Sequence, residues 1–191
     1  MAILLLGLAI FIAGHLVTTR RDLRAGLVAR VGEGPYKGLY SLVAFVGLAL
    51  IVVGFSRYRA AGYIEVWSPP RWTRHVAMTL MWFSFVALAA AYSPRGKIAG
   101  WLRHPMLNAV KIWALAHLAA NGDAGGIVLF GALMIYAGYD RFSVKRRGDA
   151  GAPRVAKFNA GDAIALAVGT IAYVAMLFLH PYVIGVAILG V

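Results

Sequence analysis

Gly38-Leu39-Tyr40-Ser41-Leu42-Val43-Ala44-Phe45-Val46-Gly47-Leu48-Ala49-Leu50-Ile51-Val52-Val53-Gly54-Phe55 decides the class of this chain. The run carries no charged side chain and its apolar residues are continuous rather than alternating. A lipid-facing barrel strand would show about ten residues with period two. A helix crossing a bilayer needs about 20 mostly apolar residues. The stretch therefore reads as a transmembrane helix. Similar stretches lie on either side of it. The expected spans are about 2–18, 38–55, 75–92, 99–120, 124–139 and 162–179. The fourth, read from the sequence around Pro105–Ala120, could begin as early as Ile98, which would submerge Arg103 and His104. The expected fold is all-α, a polytopic transmembrane bundle of about six spans forming a single domain over residues 1–191. The count falls to five if the glycine-rich segment around Gly125, Gly126, Gly131 and Gly138 is re-entrant.

Composition agrees. The 191 residues are 61% hydrophobic and 14% charged, with a mean hydropathy of +0.75. Soluble domains carry about 45–50% apolar and about 25% charged residues. Disorder, collagen and a disulfide scaffold are excluded. Without cysteine there is no thiolate metal site, cysteine nucleophile or redox pair.

The net charge of +12 is informative through its location. Arg20, Arg21, Arg24, Arg30 and Lys37 follow the first span, and Arg95, Lys97 and Arg103 follow the third. Arg141, Lys145, Arg146, Arg147, Arg154 and Lys157 follow the fifth. The opposite side holds Arg57, Arg59, Arg71 and Arg74. Cytoplasmic loops concentrate Lys and Arg, so both termini are expected on the periplasmic side. The basic face then meets anionic membrane lipid, not nucleic acid. The first span lacks a basic region before it and reads as a retained helix rather than a signal peptide. The segment 56–74, with Tyr58, Tyr63, Trp67 and Trp72, reads as an interfacial loop.

The chemical repertoire is narrow. All seven acidic residues fall in loops or at span ends, and there is no P-loop, G-x-G-x-x-G, H-E-x-x-H or G-x-S-x-G pattern. Catalytic residues are not marked by any motif. What remains near lipid is His15, His75, His104, His117, His180 and Lys111. Ionisable groups at membrane depth are costly, which makes them functional candidates. A neutral imidazole is a good ligand for haem iron, and it is also a common interhelical hydrogen-bonding group. His104, Asn108 and Lys111 share one arc of the fourth span at i, i+4 and i+7. His117 lies about 220° around and about 20 Å further along. Asn121, four residues on, is placed to orient it, and Lys111 to counter a haem propionate or a phosphate headgroup, or to snorkel.

Arg103-His104-Pro105-Met106-Leu107-Asn108-Ala109-Val110-Lys111-Ile112-Trp113-Ala114-Leu115-Ala116-His117-Leu118, followed by Asn121-Gly122-Asp123, resembles the NnrU family. Gly14-His15-Leu16 and His180-Pro181-Tyr182 extend the resemblance over nearly the whole chain. It implies a bacterial inner-membrane protein linked to denitrification and to nitric oxide or nitrite metabolism. The family is similar to zeta-carotene isomerase, which implies haem b, held by His15 and His117 as the metal ligands, and an isoprenoid as an alternative substrate to a nitrogen oxide. The isomerase's cysteine three residues before the second histidine is Ala114 here, so ligand exchange to sulfur is impossible.

Depth in the expected topology pairs differently: His15 with His104, and His117 with His180 or His75. Arg103-His104-Pro105 also resembles an element of isoprenylcysteine-type membrane methyltransferases that helps bind S-adenosylmethionine. The acidic pair those enzymes carry later in the chain is replaced by Tyr139-Asp140-Arg141-Phe142. A haem-dependent isomerase, a redox protein, a methyltransferase-like scaffold and a haem sensor or assembly factor are the readings the sequence leaves open.

Overall fold

The computed structural model describes residues 1–189. The helices are α1 (Ala2–Thr19), α2 (Arg21–Val31), α3 (Glu33–Ala60), α4 (Trp72–Tyr92), α5 (Lys97–Leu102), α6 (Pro105–Ala120), α7 (Ala124–Arg146) and α8 (Ala160–Ile184). Among the described residues the strand content is one isolated bridge, Glu65 with Asp123, so the all-α expectation holds. Five helices, α1, α3, α4, α7 and α8, are long and apolar enough to cross a membrane. Their outward surfaces are those of a protein solvated by lipid: Phe45 and Ile171 are each 69% exposed. In water such surface would be a liability; against acyl chains it is the expected coat. The chain is a multi-pass membrane protein.

Two compact units are present. The first comprises Met1–Glu65 and Asp123–Ala132. Within it α1 and α3 run antiparallel in intimate contact, because glycines remove the side chains that would hold them apart. A Cβ on Gly7 would meet the Ile51 backbone nitrogen at 2.6 Å, and one on Gly47 would meet that of Phe11 at 2.8 Å. One on Gly54 would meet the Leu4 Cα at 2.7 Å. Close backbone approach of this kind drives helix association in lipid, where apolar side chains gain little from leaving the solvent. The connection is α2, none of whose residues is buried. Asp123 starts α7, its Oδ1 accepting from the Gly126 N–H at 2.9 Å.

The second unit comprises Val66–Gly122 and the chain from Leu133 onward. Its centre is α4, which packs against both α6 and α8. Ser84 donates to the Ala109 carbonyl of α6 at 2.8 Å, and the Trp82 indole donates to Thr170 of α8 at 3.0 Å. Gly169 brings α8 against the Val86 backbone. At the opposite end from the cavity described below, the fully buried Asp162 ties three segments. Its carboxylate accepts from the N–H groups of Lys97, Ile98 and Asn159 at 2.9, 2.7 and 3.0 Å, while Asn159 caps α8 in return. One carboxylate thus completes a capping box and seats the start of α5.

The stretch 99–120 is not one continuous helix. It is divided at Arg103 (φ 62°), where the His104 N–H donates to the Leu102 carbonyl at 2.7 Å. That is a γ-turn with positive φ, a strained form for a residue with a Cβ. The Ala152 N–H holds it by donating to the Arg103 carbonyl at 2.6 Å, and Pro105 opens α6 immediately afterwards.

Candidate functional site

Because α6 and α8 both lean on α4, a cavity of about 220 Å³ is left between them in the second unit. The first turns of α4 and the last turns of α6 and α8 surround it, so these helices run antiparallel to α4. The walls are mostly apolar, with Met78, Met81 and Phe85 from α4 and Met176 and Leu177 from α8. Polar groups enter from four places: Arg74, His117 with Asn121, Tyr173, and His180.

The two histidines are held alike. His117 Nδ1 lies 2.8 Å from the Trp113 carbonyl oxygen, and His180 Nδ1 lies 2.7 Å from that of Val186. A carbonyl only accepts, so Nδ1 carries the proton in each ring and the lone pair is on Nε2. Trp113 also packs its ring on His117, centroids 5.0 Å apart. The Val186 bond has a second effect. Gly185 ends α8 in the left-handed conformation (φ 80°) and turns the chain back, so that Val186, Ala187 and Ile188 form a strap along the cavity.

The remaining sequence candidates lie elsewhere. His15 belongs to the first unit, on α1. Its Nδ1 donates to the Phe11 carbonyl at 2.7 Å, and its ring packs on Phe11 and against Tyr40. His15 and His117 thus share one local design, an aromatic residue four positions earlier that supplies both a carbonyl and a ring. His104 forms the N-cap position of α6, at the far end from the cavity. Asn108 closes the C-terminus of α5, its amide donating to the Leu102 carbonyl at 2.9 Å. Lys111 is partly buried in the middle of α6 and is not among the cavity-lining residues. Asn121 does line it, and its amide donates to the His117 backbone carbonyl at 2.8 Å. His75 follows Arg74 in the first turn of α4 and does not line the cavity.

The structure adds Arg74, Tyr173 and the methionines, which sequence reasoning did not single out. Arg74 counted there only as a charge on the sparsely basic side. Its position beside His75, at the start of an apolar run, was the available signal.

No curated protein and no solved structure matches the chain. The family model described as NnrU protein matches residues 3–188, spanning both units and all the histidines discussed above. By that match, the chain belongs to the NnrU family.

Proposed function

We propose that the chain is a haem-b-binding membrane protein of the NnrU type, serving nitrogen-oxide metabolism, with His117 and His180 as the imidazoles that hold the iron. One observation carries this reading: two histidines from different helices line one largely apolar cavity, each with Nδ1 donating to a backbone carbonyl. Such a bond fixes the tautomer and ring orientation and raises the basicity of Nε2, as in metal-ligating histidines generally.

The residues present fit the group in their chemistry. Bound haem supplies one-electron redox chemistry at this position. The chain's own part is to hold it and keep water away. Trp113 orients His117 through carbonyl and ring, and Val186 orients His180 while anchoring the strap. Met78, Met81 and Met176 present flexible, polarisable surface that can adapt to an occupant. The cavity, about 220 Å³, is smaller than the roughly 300–1,000 Å³ of small-molecule sites, so a bound macrocycle would have to extend beyond it. Ala114, three residues before His117, is wholly buried and offers no thiolate for ligand exchange, which weakens the isomerase alternative.

His15 of the first unit shares the local design of His117 and is the further candidate imidazole that the family resemblance implies. The distribution of Lys and Arg supports termini outside the cytoplasm, which in the bacterial inner membrane implied by the family resemblance puts the cavity towards the periplasmic face.

Purified protein reconstituted with haem is expected to show an intense Soret band, and His117→Ala to lose most of it. A wild-type preparation that takes up no haem under these conditions would overturn the reading.

A further inference from the structure

The phenolic oxygen of Tyr36 is buried and has no hydrogen-bond partner among the described residues, and the residue is 7% exposed. An unmet buried hydroxyl is costly, and one in a native fold calls for a partner. Tyr36 stands in the first turn of α3, in the first unit. The Arg24 guanidinium of α2 lies over its ring, 5.4 Å from the centroid. Glu33, the acid whose charge Arg24 feels, is itself bonded to Lys37 at 2.9 Å. A hydroxyl and a guanidinium from two helices thus come together, and among the described residues no carboxylate is bound to either. The surroundings place the pair at headgroup depth. Both α1 and α3 are long and apolar enough to span a membrane, so α2, which joins them, lies at one face of it. Leu23, Leu27 and Val31 follow at four-residue spacing on α2, and Leu23 and Val31 are 47% and 50% exposed. Around the helix Arg30 and Arg24 border that stripe, one on each side. A helix of this pattern lies in the interface, its apolar stripe on the acyl chains and its arginines at the phosphates.

We infer that Arg24 and Tyr36 form a binding site for the phosphate of a membrane phospholipid. A phosphodiester carries two unesterified oxygens, one to accept from the Tyr36 O–H and one to pair with the guanidinium. Arg24 belongs to a helix with no buried residue, so its long side chain can swing from the ring to the phosphate and open the hydroxyl to it. Between positions 20 and 37, Arg20, Arg21, Arg24, Arg30 and Lys37 outnumber Asp22 and Glu33, which favours an anionic lipid. The site shares no residue with the cavity of the second unit, so it does not depend on the haem reading.

The test follows thermal unfolding of the purified, delipidated full chain in detergent as lipid is titrated in. Dioleoylphosphatidylglycerol is the probe; dioleoylglycerol, with the same chains and no phosphate, and inorganic phosphate are the comparisons. Wild type is expected to gain about 5 °C with the phospholipid and nothing comparable with either comparison. Tyr36→Phe should lose most of that gain, although without lipid it should unfold no earlier than wild type, since the unmet hydroxyl is gone. A merely structural hydroxyl would leave the gain intact. Arg24→Gln should lose most of it, and Arg24→Lys should keep part. Arg30→Gln removes the same charge elsewhere on α2 and should keep the gain. The inference is overturned if dioleoylglycerol or inorganic phosphate reproduces the shift, or if Tyr36→Phe or Arg24→Gln retains it in full. It is overturned equally if Arg30→Gln loses as much as Arg24→Gln, which would make the effect one of overall charge.

Discussion

Gly54→Leu is expected to be among the most damaging single substitutions in the α1–α3 pair. The new side chain would have to occupy space already filled by backbone: the Leu4 nitrogen and Cα and the Ile3 carbonyl carbon all lie within van der Waals contact of a Cβ at this site. Side chains can turn aside, but helix backbone can yield only by moving the whole of α1. Overpacking of this kind costs about 3 kcal/mol, at the upper end of its usual range. Unfolding in mixed micelles measures it. Gly38→Leu on the same helix is the control, since no atom lies within 4 Å of a Cβ there. Its cost is expected to stay within about 0.5 kcal/mol. Equal losses in the two variants would mean that glycine contributes through helix propensity and not through contact.

Asp162→Ala is the second large effect. Three backbone N–H groups lose their acceptor at once, in a place where the carboxylate is 1% exposed and water cannot readily replace it. Each unsatisfied buried donor costs about 1–3 kcal/mol, and because the three relax together the total is set at about 3 kcal/mol. Asp162→Asn keeps one acceptor oxygen and turns an NH₂ towards the remaining donors, so it should recover only part. Hydrogen exchange locates the damage: the Lys97, Ile98 and Asn159 amides should lose protection first. Asp149→Ala provides contrast, because its carboxylate accepts from the exposed Gly151 N–H. Loss of protection spread evenly over α8 would show that Asp162 acts on the helix as a whole and not as a joint between segments.

Local signals in the sequence were legible and distant ones were not. The run 38–55 lies inside α3, because lipid solvation makes helix the economical way to satisfy backbone polar groups. Pro105 marked a helix start, but the γ-turn at Arg103 is held by Ala152, which no local pattern connects to it. Asn159-x-x-Asp162 is a readable capping box. That the same carboxylate also seats Lys97 and Ile98 depends on tertiary packing across more than sixty residues. At the site, the histidines stood out by residue type. Depth offered His180 and His75 as partners for His117; the cavity contains the first and not the second. Lys111 attracted attention as a charge within a span, and Arg74 was overlooked as a loop charge. One-dimensional periodicity ranks charges by depth, and it does not show which helix face opens onto a cavity.

The pairing of His117 with His180 is the claim on which the account turns. Electron paramagnetic resonance of the ferric, haem-loaded protein tests it most directly, since two imidazoles give a low-spin signal and loss of one gives a high-spin signal. The account predicts a low-spin signal in wild type, conversion to high spin in His180→Ala, and an unchanged signal in His15→Ala. Conversion in His15→Ala with the low-spin signal intact in His180→Ala would contradict it.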